Sequence, residues 1–327
     1  MKFSAFMAAG LVLLWLAFRN IDFKNLWEGL KKARYGWLIL SLAFATFAYI
    51  SRARRWVLLI NPLGHNPSLF NSFNAMMTGY LANLALPRIG EITKCVALGK
   101  KENIPVDQLI GTVVIERSID VISLLVITII MLFVDGSTLG PFLMNNVYNP
   151  IQEKVTSVFG FAWIFWLILL VSGILVLYLI YYFRHNLRKI RFFAKLFDAA
   201  HGIIHGIKTV TRIQRKWEFV FHTFFIWINY TLMTWVVVFA VESTSHLGLS
   251  DGIFLLVIGG LAMSAPVQSG LGAFHFIISR GLMLIYGISL EDSMVYALLA
   301  HESQLIFGAV IGIYSFYAIF KKSRYST

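Results

Sequence analysis

The sequence predicts an all-α integral membrane protein of about six full spans plus two re-entrant helical hairpins, set in an inverted-topology repeat. Three observations predict it. Of the 327 residues 58% are hydrophobic and 13% charged, with a mean hydropathy of +0.73; a soluble domain carries about 25% charged residues. Two apolar segments are broken, one at Asn83-Leu-Ala-Leu-Pro87-Arg88-Ile-Gly90-Glu91 and one at Ser264-Ala-Pro266-Val-Gln268-Ser269-Gly270-Leu-Gly272. The order span, broken segment, charged span occurs twice, over about 36–134 and about 217–320. Broken apolar backbone is tolerated in lipid only where it lines a protein-buried or wet cavity. A pair of such breaks in matching halves is the sequence pointer to a transporter's binding site.

Each element follows in turn. A span needs about 20 apolar residues, or about 17 at the short end. Phe3–Phe18 just suffices, and Arg19-Asn20-Ile21-Asp22 follows it with no small-x-small cleavage pattern, so it reads as a retained first span. Residues 21–35 place Phe23, Leu26, Trp27 and Leu30 at helical spacing among lysines, an amphipathic helix lying in the interface. Gly36–Ile60 is the second span; Arg52, Arg54 and Arg55 near its end read as a cytoplasmic anchor, with Arg52 facing the interior as the alternative. Ser68–Leu84 and Glu91–Leu98 are each too short to cross, and Pro87 and Gly90 supply the break between them. Generous boundaries would make such arms full spans, for eight to ten crossings. Gln108–Val134 is the third span and Val158–Phe183 the fourth, separated by a polar loop.

Residues 184–216 hold nine Lys or Arg and one acid, with apolar residues at helical spacing, and read as an amphipathic segment against headgroups. Phe219–Val241 is the fifth span. Gly252–Met263 and Ala273–Tyr286 are the arms of the second hairpin, and Met294–Phe320 is the last span, interrupted by His301-Glu302. The whole chain, 1–327, thus reads as one transmembrane domain.

Charge sets the orientation. The net +12 comes from basic residues flanking apolar runs, which suits anchoring on anionic lipid in the cell membrane and excludes nucleic acid as the partner. With both termini cytoplasmic, segment 184–216 lies inside and the acid-biased loops 135–156 and 242–249 lie outside. Residues 19–34 are the misfit, placing five basic side chains outside. The single cysteine, Cys95, excludes an internal disulfide.

The candidate substrate-binding residues are those of the two breaks and the charged spans beside them. From the first unit come Asn83, Arg88, Glu91, Glu116, Arg117 and Asp120; from the second, Gln268, Ser269, Gly270, Gly272, His275, Arg280 and Glu302. Arg88 leads, because a guanidinium offers a phosphate planar, bidentate donors and a half-helix starting near Gly90 aims free N–H groups at the same place. A salt bridge to Glu91, Glu116 or Asp120 is its structural alternative, and the two coexist if the bridge opens on binding. Glu116 and Asp120 are four apart on one helix face. Unless a cation from elsewhere joins them, one should hold a proton; an arginine lock is the other reading. His275 alone reads as a packed residue. His301-Glu302 lacks a second histidine four residues from His301, which rules out the zincin spacing; no metal site is predicted. No P-loop and no Gly-x-Gly-x-x-Gly after a strand occurs, so no cofactor is predicted either.

The Asn83–Glu91 run, with Glu116-Arg117-x-x-Asp120, Arg52-x-x-Arg55-Trp56 and Pro266-x-x-x-Gly270-x-Gly272, resembles the lysylphosphatidylglycerol synthase transmembrane region, also called the flippase-like family. The resemblance covers nearly the whole chain. It implies a lipid translocase: a similar domain in the bacterial antimicrobial-peptide-resistance protein moves aminoacylated phosphatidylglycerol, made by a fused cytoplasmic synthase domain. Here the 327 residues hold no synthase domain, so lysine transfer is not implied. Ser269-Gly270 replaces paired glycines, His275 stands where an acid is expected, and Lys94 where arginine is common.

The expected activity is therefore flipping of an anionic or phosphate-bearing lipid between leaflets, with a separate lipid-synthesising enzyme as a possible partner, and no catalysis. An intramembrane lipid-modifying enzyme is the main alternative, since acidic pairs and histidines in a lipid-accessible cavity suit acid–base chemistry. A solute or ion transporter and a regulatory partner of a lipid enzyme complete the alternatives.

Overall fold

A computed structural model describes residues 2–86, 89–134, 213–264 and 268–320, with a few isolated positions in between. The expected fourth span, the polar loop before it and nearly all of the basic segment 184–216 lie outside the described residues, as do Pro87, Arg88 and Pro266. Among the described residues every regular element is helical.

Helix α1 is Lys2–Phe18, α2 is Phe23–Lys32 and α3 is Gly36–Ile60. Then come α4, Leu69–Ala85, α5, Gly90–Glu102, and α6, Val106–Val134. In the other half α7 is Lys216–Trp235, continued by a 3-10 turn Val236–Ala240. It is followed by α8, Leu249–Ser264, α9, Ala273–Tyr286, and α10, Leu290–Phe320. Each half therefore runs long, short, short, long. Three helical stretches are long and apolar enough to cross a membrane by length and composition: Gly36–Leu63, Lys216–Ala240 and Leu290–Phe320. The 29 residues of α6 make it about 43 Å long at 1.5 Å per residue. The 16 and 14 residues of α8 and α9 make short apolar helices instead.

Local sequence explains the ends. Asp22 caps α2 by accepting from the Lys24 N–H at 2.9 Å, and Ser68 caps α4 by accepting from the Asn71 N–H at 3.1 Å. Asn103, with φ of 55°, ends α5 in the left-handed conformation that asparagine tolerates. Helix α2 keeps Phe23 and Trp27 exposed and buries Leu26, as suits a helix in an interface.

Helices α3 and α7 pack antiparallel, tied along their length. The Ser41 hydroxyl donates to the Met233 carbonyl at 2.7 Å, Ser51 Oγ sits 2.7 Å from His222 Nδ1, and Arg54 bridges to Glu218 at 2.6 Å. At the far end Arg34 pairs with Glu242, and its N–H donates to the Ala240 carbonyl at 2.9 Å. The basic segment 19–34 that fitted the charge rule poorly thus has an acidic neighbour from the 242–249 loop.

The short helices form two close pairs. A Cβ added to Gly90 would fall 2.1 Å from the Gly79 carbonyl oxygen, so only glycine lets α4 and α5 approach this closely. The Asn83 side chain accepts the Gly90 N–H at 2.8 Å and closes the turn between them. At the open end Glu102 accepts from the Ser68 N–H and the Asn71 amide. In the second pair, Tyr286 near the end of α9 donates to Asp251 near the start of α8 at 2.8 Å. Gly272, at φ of 79°, leads into α9, and a side chain there would strike the backbone of α1 at Leu14. Helix α4 packs on α10 as α8 packs on α6.

Candidate functional site

Seven charged side chains from α3, α5 and α6 form one cluster. Glu116, 1% exposed, takes Arg52 on one oxygen at 2.6 Å and Lys94 on the other at 2.7 Å. Asp120 takes Arg55 at 2.5 Å and Arg52 at 3.2 Å. Glu91 pairs with Arg117 and lies 3.4 Å from Lys94. Arg52 also donates to the Tyr230 hydroxyl at 2.9 Å, and Lys94 sits 4.8 Å from the centre of the Trp56 ring.

Arg52 and Arg55 correct the anchor reading, Arg52 facing the interior as the alternative had it, while Arg54 stays partly exposed against Glu218. Arg55 is fully buried and Arg52 nearly so, because α3 continues four residues beyond Trp56 and carries both into the protein. They are the cations that the Glu116–Asp120 pair required, so the like charges on that face of α6 are separated by guanidinium groups. Four cations meet three anions here, which leaves one positive charge in excess. Arg52 Nε and Arg55 Nε and Nη1 are buried without a hydrogen-bond partner among the described residues. Buried guanidinium donors left open in this way suit an added anion.

Beside the cluster a cavity of about 420 Å³ opens between α5 and α6. Ile92, Ile110, Val113, Val114 and Val121 form its walls, and Glu91, Arg117 and Ser118 border it almost entirely through their apolar atoms. Ile92, Ile110, Val114 and Val121 are exposed, so the cavity is a lateral groove rather than a closed chamber. The Arg117 side chain is 43% exposed and reaches both groove and cluster.

The second-half candidates gather elsewhere. His275 Nε2 is 3.2 Å and His301 Nδ1 3.1 Å from the same Glu302 oxygen. His301 Nε2 faces the Ser269 carbonyl at 2.9 Å. The two turns touch: the Ser269 hydroxyl donates to the Asn83 carbonyl at 3.2 Å. Ser269 holds φ of 48°, uncommon for a residue other than glycine. Gly270, at φ of 75°, is buried beside Met263. Arg280 is half-buried beside Met283 Sδ and the Phe276 ring. Gln268 falls in the turn. Sequence reasoning did not assemble Arg55, Lys94 and Tyr230 with the acidic pair: Lys94 reads with Lys100 and Lys101 as marking the cytoplasmic exit, yet it is buried, and Arg55 carried a signal only through the Arg52-x-x-Arg55-Trp56 motif.

The model of the lysylphosphatidylglycerol synthase TM region matches residues 4–312. The chain belongs to this family. No curated protein and no solved structure matches it. The lysylphosphatidylglycerol synthase TM region is a membrane family linked to lipid handling, and the matched span takes in both turns, the charged cluster and the groove.

Proposed function

We propose that this member of the family flips an anionic or phosphate-bearing lipid between leaflets of the cell membrane. The groove between α5 and α6 carries the reading. Its apolar walls suit acyl chain and the partly exposed Arg117–Glu91 pair at its edge suits a headgroup, whereas a soluble solute would call for a polar, axial path. The phosphate competes with Glu91 for Arg117, so the bridge opens as the lipid binds. The extra positive charge of the cluster then attracts the headgroup inward.

The contacts also support an inverted pair of re-entrant hairpins. The α4–α5 pair opens where α3 ends and the α8–α9 pair where α7 ends, and α3 and α7 are antiparallel. Their turns meet at Asn83 and Ser269. Rocking one unit on the other would expose the shared interior to each side alternately. No catalysis is proposed: both oxygens of Glu116 already hold cations, which leaves it poorly placed for proton transfer. A separate enzyme would supply the lipid.

Two measurements test this. Vesicles holding headgroup-labelled phosphatidylglycerol should lose their inner-leaflet label to an external quencher faster with the protein than without it, with the lipid chemically unchanged by mass spectrometry. Equal rates, or a modified lipid, would overturn the reading. For orientation, a cysteine at Asn146 should react with an impermeant thiol reagent in intact cells and one at Lys195 should not. The native Cys95 is fully buried and leaves the assay clear. The opposite labelling would reverse the topology.

A further inference from the structure

We propose that His275, His301 and Glu302 bind a divalent transition-metal ion of the zinc class. The site is separate from the charged cluster and does not depend on the lipid reading. One ligand comes from α9 and two come from α10, and the ligand atoms lie within 4.8 Å of one another. Helix spacing could not show it, because the second histidine belongs to a different helix.

Hydrogen positions favour a cation at the centre. The Ser269 carbonyl can only accept, so His301 Nε2 carries the hydrogen of that 2.9 Å contact. A neutral His301 ring then turns the lone pair of Nδ1 towards a carboxylate oxygen 3.1 Å away. Two lone pairs at that distance repel unless a cation lies between them. His275 is 1% exposed and has both ring nitrogens without a hydrogen-bond partner among the described residues. Its Nε2 is 3.2 Å from the same oxygen but not aligned to donate to it. Such a nitrogen is close to the carboxylate without being bonded to it.

Coordination fits the two spacings to Glu302, and the two imidazole nitrogens lie within 4.8 Å of each other. With arms of about 2.0 Å, neighbouring ligands of a tetrahedral zinc ion are about 3.3 Å apart, close to the 3.1 and 3.2 Å found here. Two imidazoles and one carboxylate favour zinc-class ions over calcium or magnesium, which prefer oxygen. The His301–Ser269 contact is the outer hydrogen bond that orients a metal-binding histidine. Phe274 stacks on His301 at 5.0 Å and Phe18 lies 6.2 Å from His275, screening the site from one side. Three protein ligands leave a fourth position for an exchangeable oxygen. Through Ser269 and Asn83 the ion would tie the second turn to the first.

A proton shared by the two histidines and Glu302 is the competing occupant, and metal content separates the two. The full chain, purified in detergent with a tag free of histidine, is stripped with chelator, exposed to zinc and desalted. The expected result is one zinc per chain, with cobalt giving the visible spectrum of a tetrahedral nitrogen–oxygen site. His275→Gln and Glu302→Gln, checked for a monodisperse gel-filtration profile, should lose both signals. Wild-type protein that retains no zinc overturns the proposal whatever the variants do. Variants that retain as much zinc as the wild type overturn it equally.

Discussion

Glu116→Ala lowers the stability of the fold by about 3–5 kcal/mol, the effect of removing one partner from a buried ion pair. Arg52 and Lys94 both lean on this carboxylate inside the protein, and alanine leaves them facing each other without it. The measurement is unfolding in mixed detergent micelles against increasing denaturing detergent. Arg117→Ala is the control, since a half-exposed pair contributes about 1 kcal/mol or less. Combining Glu116→Leu with Lys94→Met should recover part of the loss, because Arg52 still has Asp120 at 3.2 Å. A Glu116→Ala protein as stable as the wild type would mean that these charges are not dry, and the cluster would have to be redrawn as a wet cavity.

Arg117→Ala slows lipid movement by about 10- to 100-fold while the protein stays folded. A hydrogen bond to a charged group is worth about 1.5–3 kcal/mol, and each 1.4 kcal/mol is about tenfold. Arg117→Lys keeps part of the rate, since an ammonium supplies the charge but not the planar fork. The vesicle assay reads both, with Arg88→Ala run beside them because Arg88 adjoins the same turn in sequence. Full activity in Arg117→Ala with none in Arg88→Ala would move the headgroup site from the groove to the turn.

The boundaries of α3 match their sequence reading, Gly36–Ile60, whereas α7 and α10 begin three and four residues before their apolar runs, because polar residues extend a helix that apolar length does not count. The break between the arms was readable, since Pro87 and Gly90 mark it locally, but the second arm runs four residues past its expected end at Leu98, to Glu102. The burial of Arg55 was not readable. Its partner Asp120 stands 65 residues later, and no periodicity within α3 tells a headgroup anchor from a buried ion pair. The same limit hid the second cluster: His301 and Glu302 are neighbours in sequence, while His275 reaches them only because α9 folds back on α10. Arg88, the leading candidate by sequence, lies outside the described residues.

The contact between Gly79 and Gly90 has a mechanical meaning. Two helices whose backbones touch, with Asn83 clasping the turn, cannot splay; α4 and α5 behave as one stiff lever. A stroke of this lever would work against α10, on which α4 packs, and against α6, where the fasteners are Lys94 to Glu116 and Arg117 to Glu91. The first is dry and hard to undo, the second half-wetted and easily exchanged. The lever would therefore pivot about the buried clasp and swing at the exposed one, at the mouth of the groove.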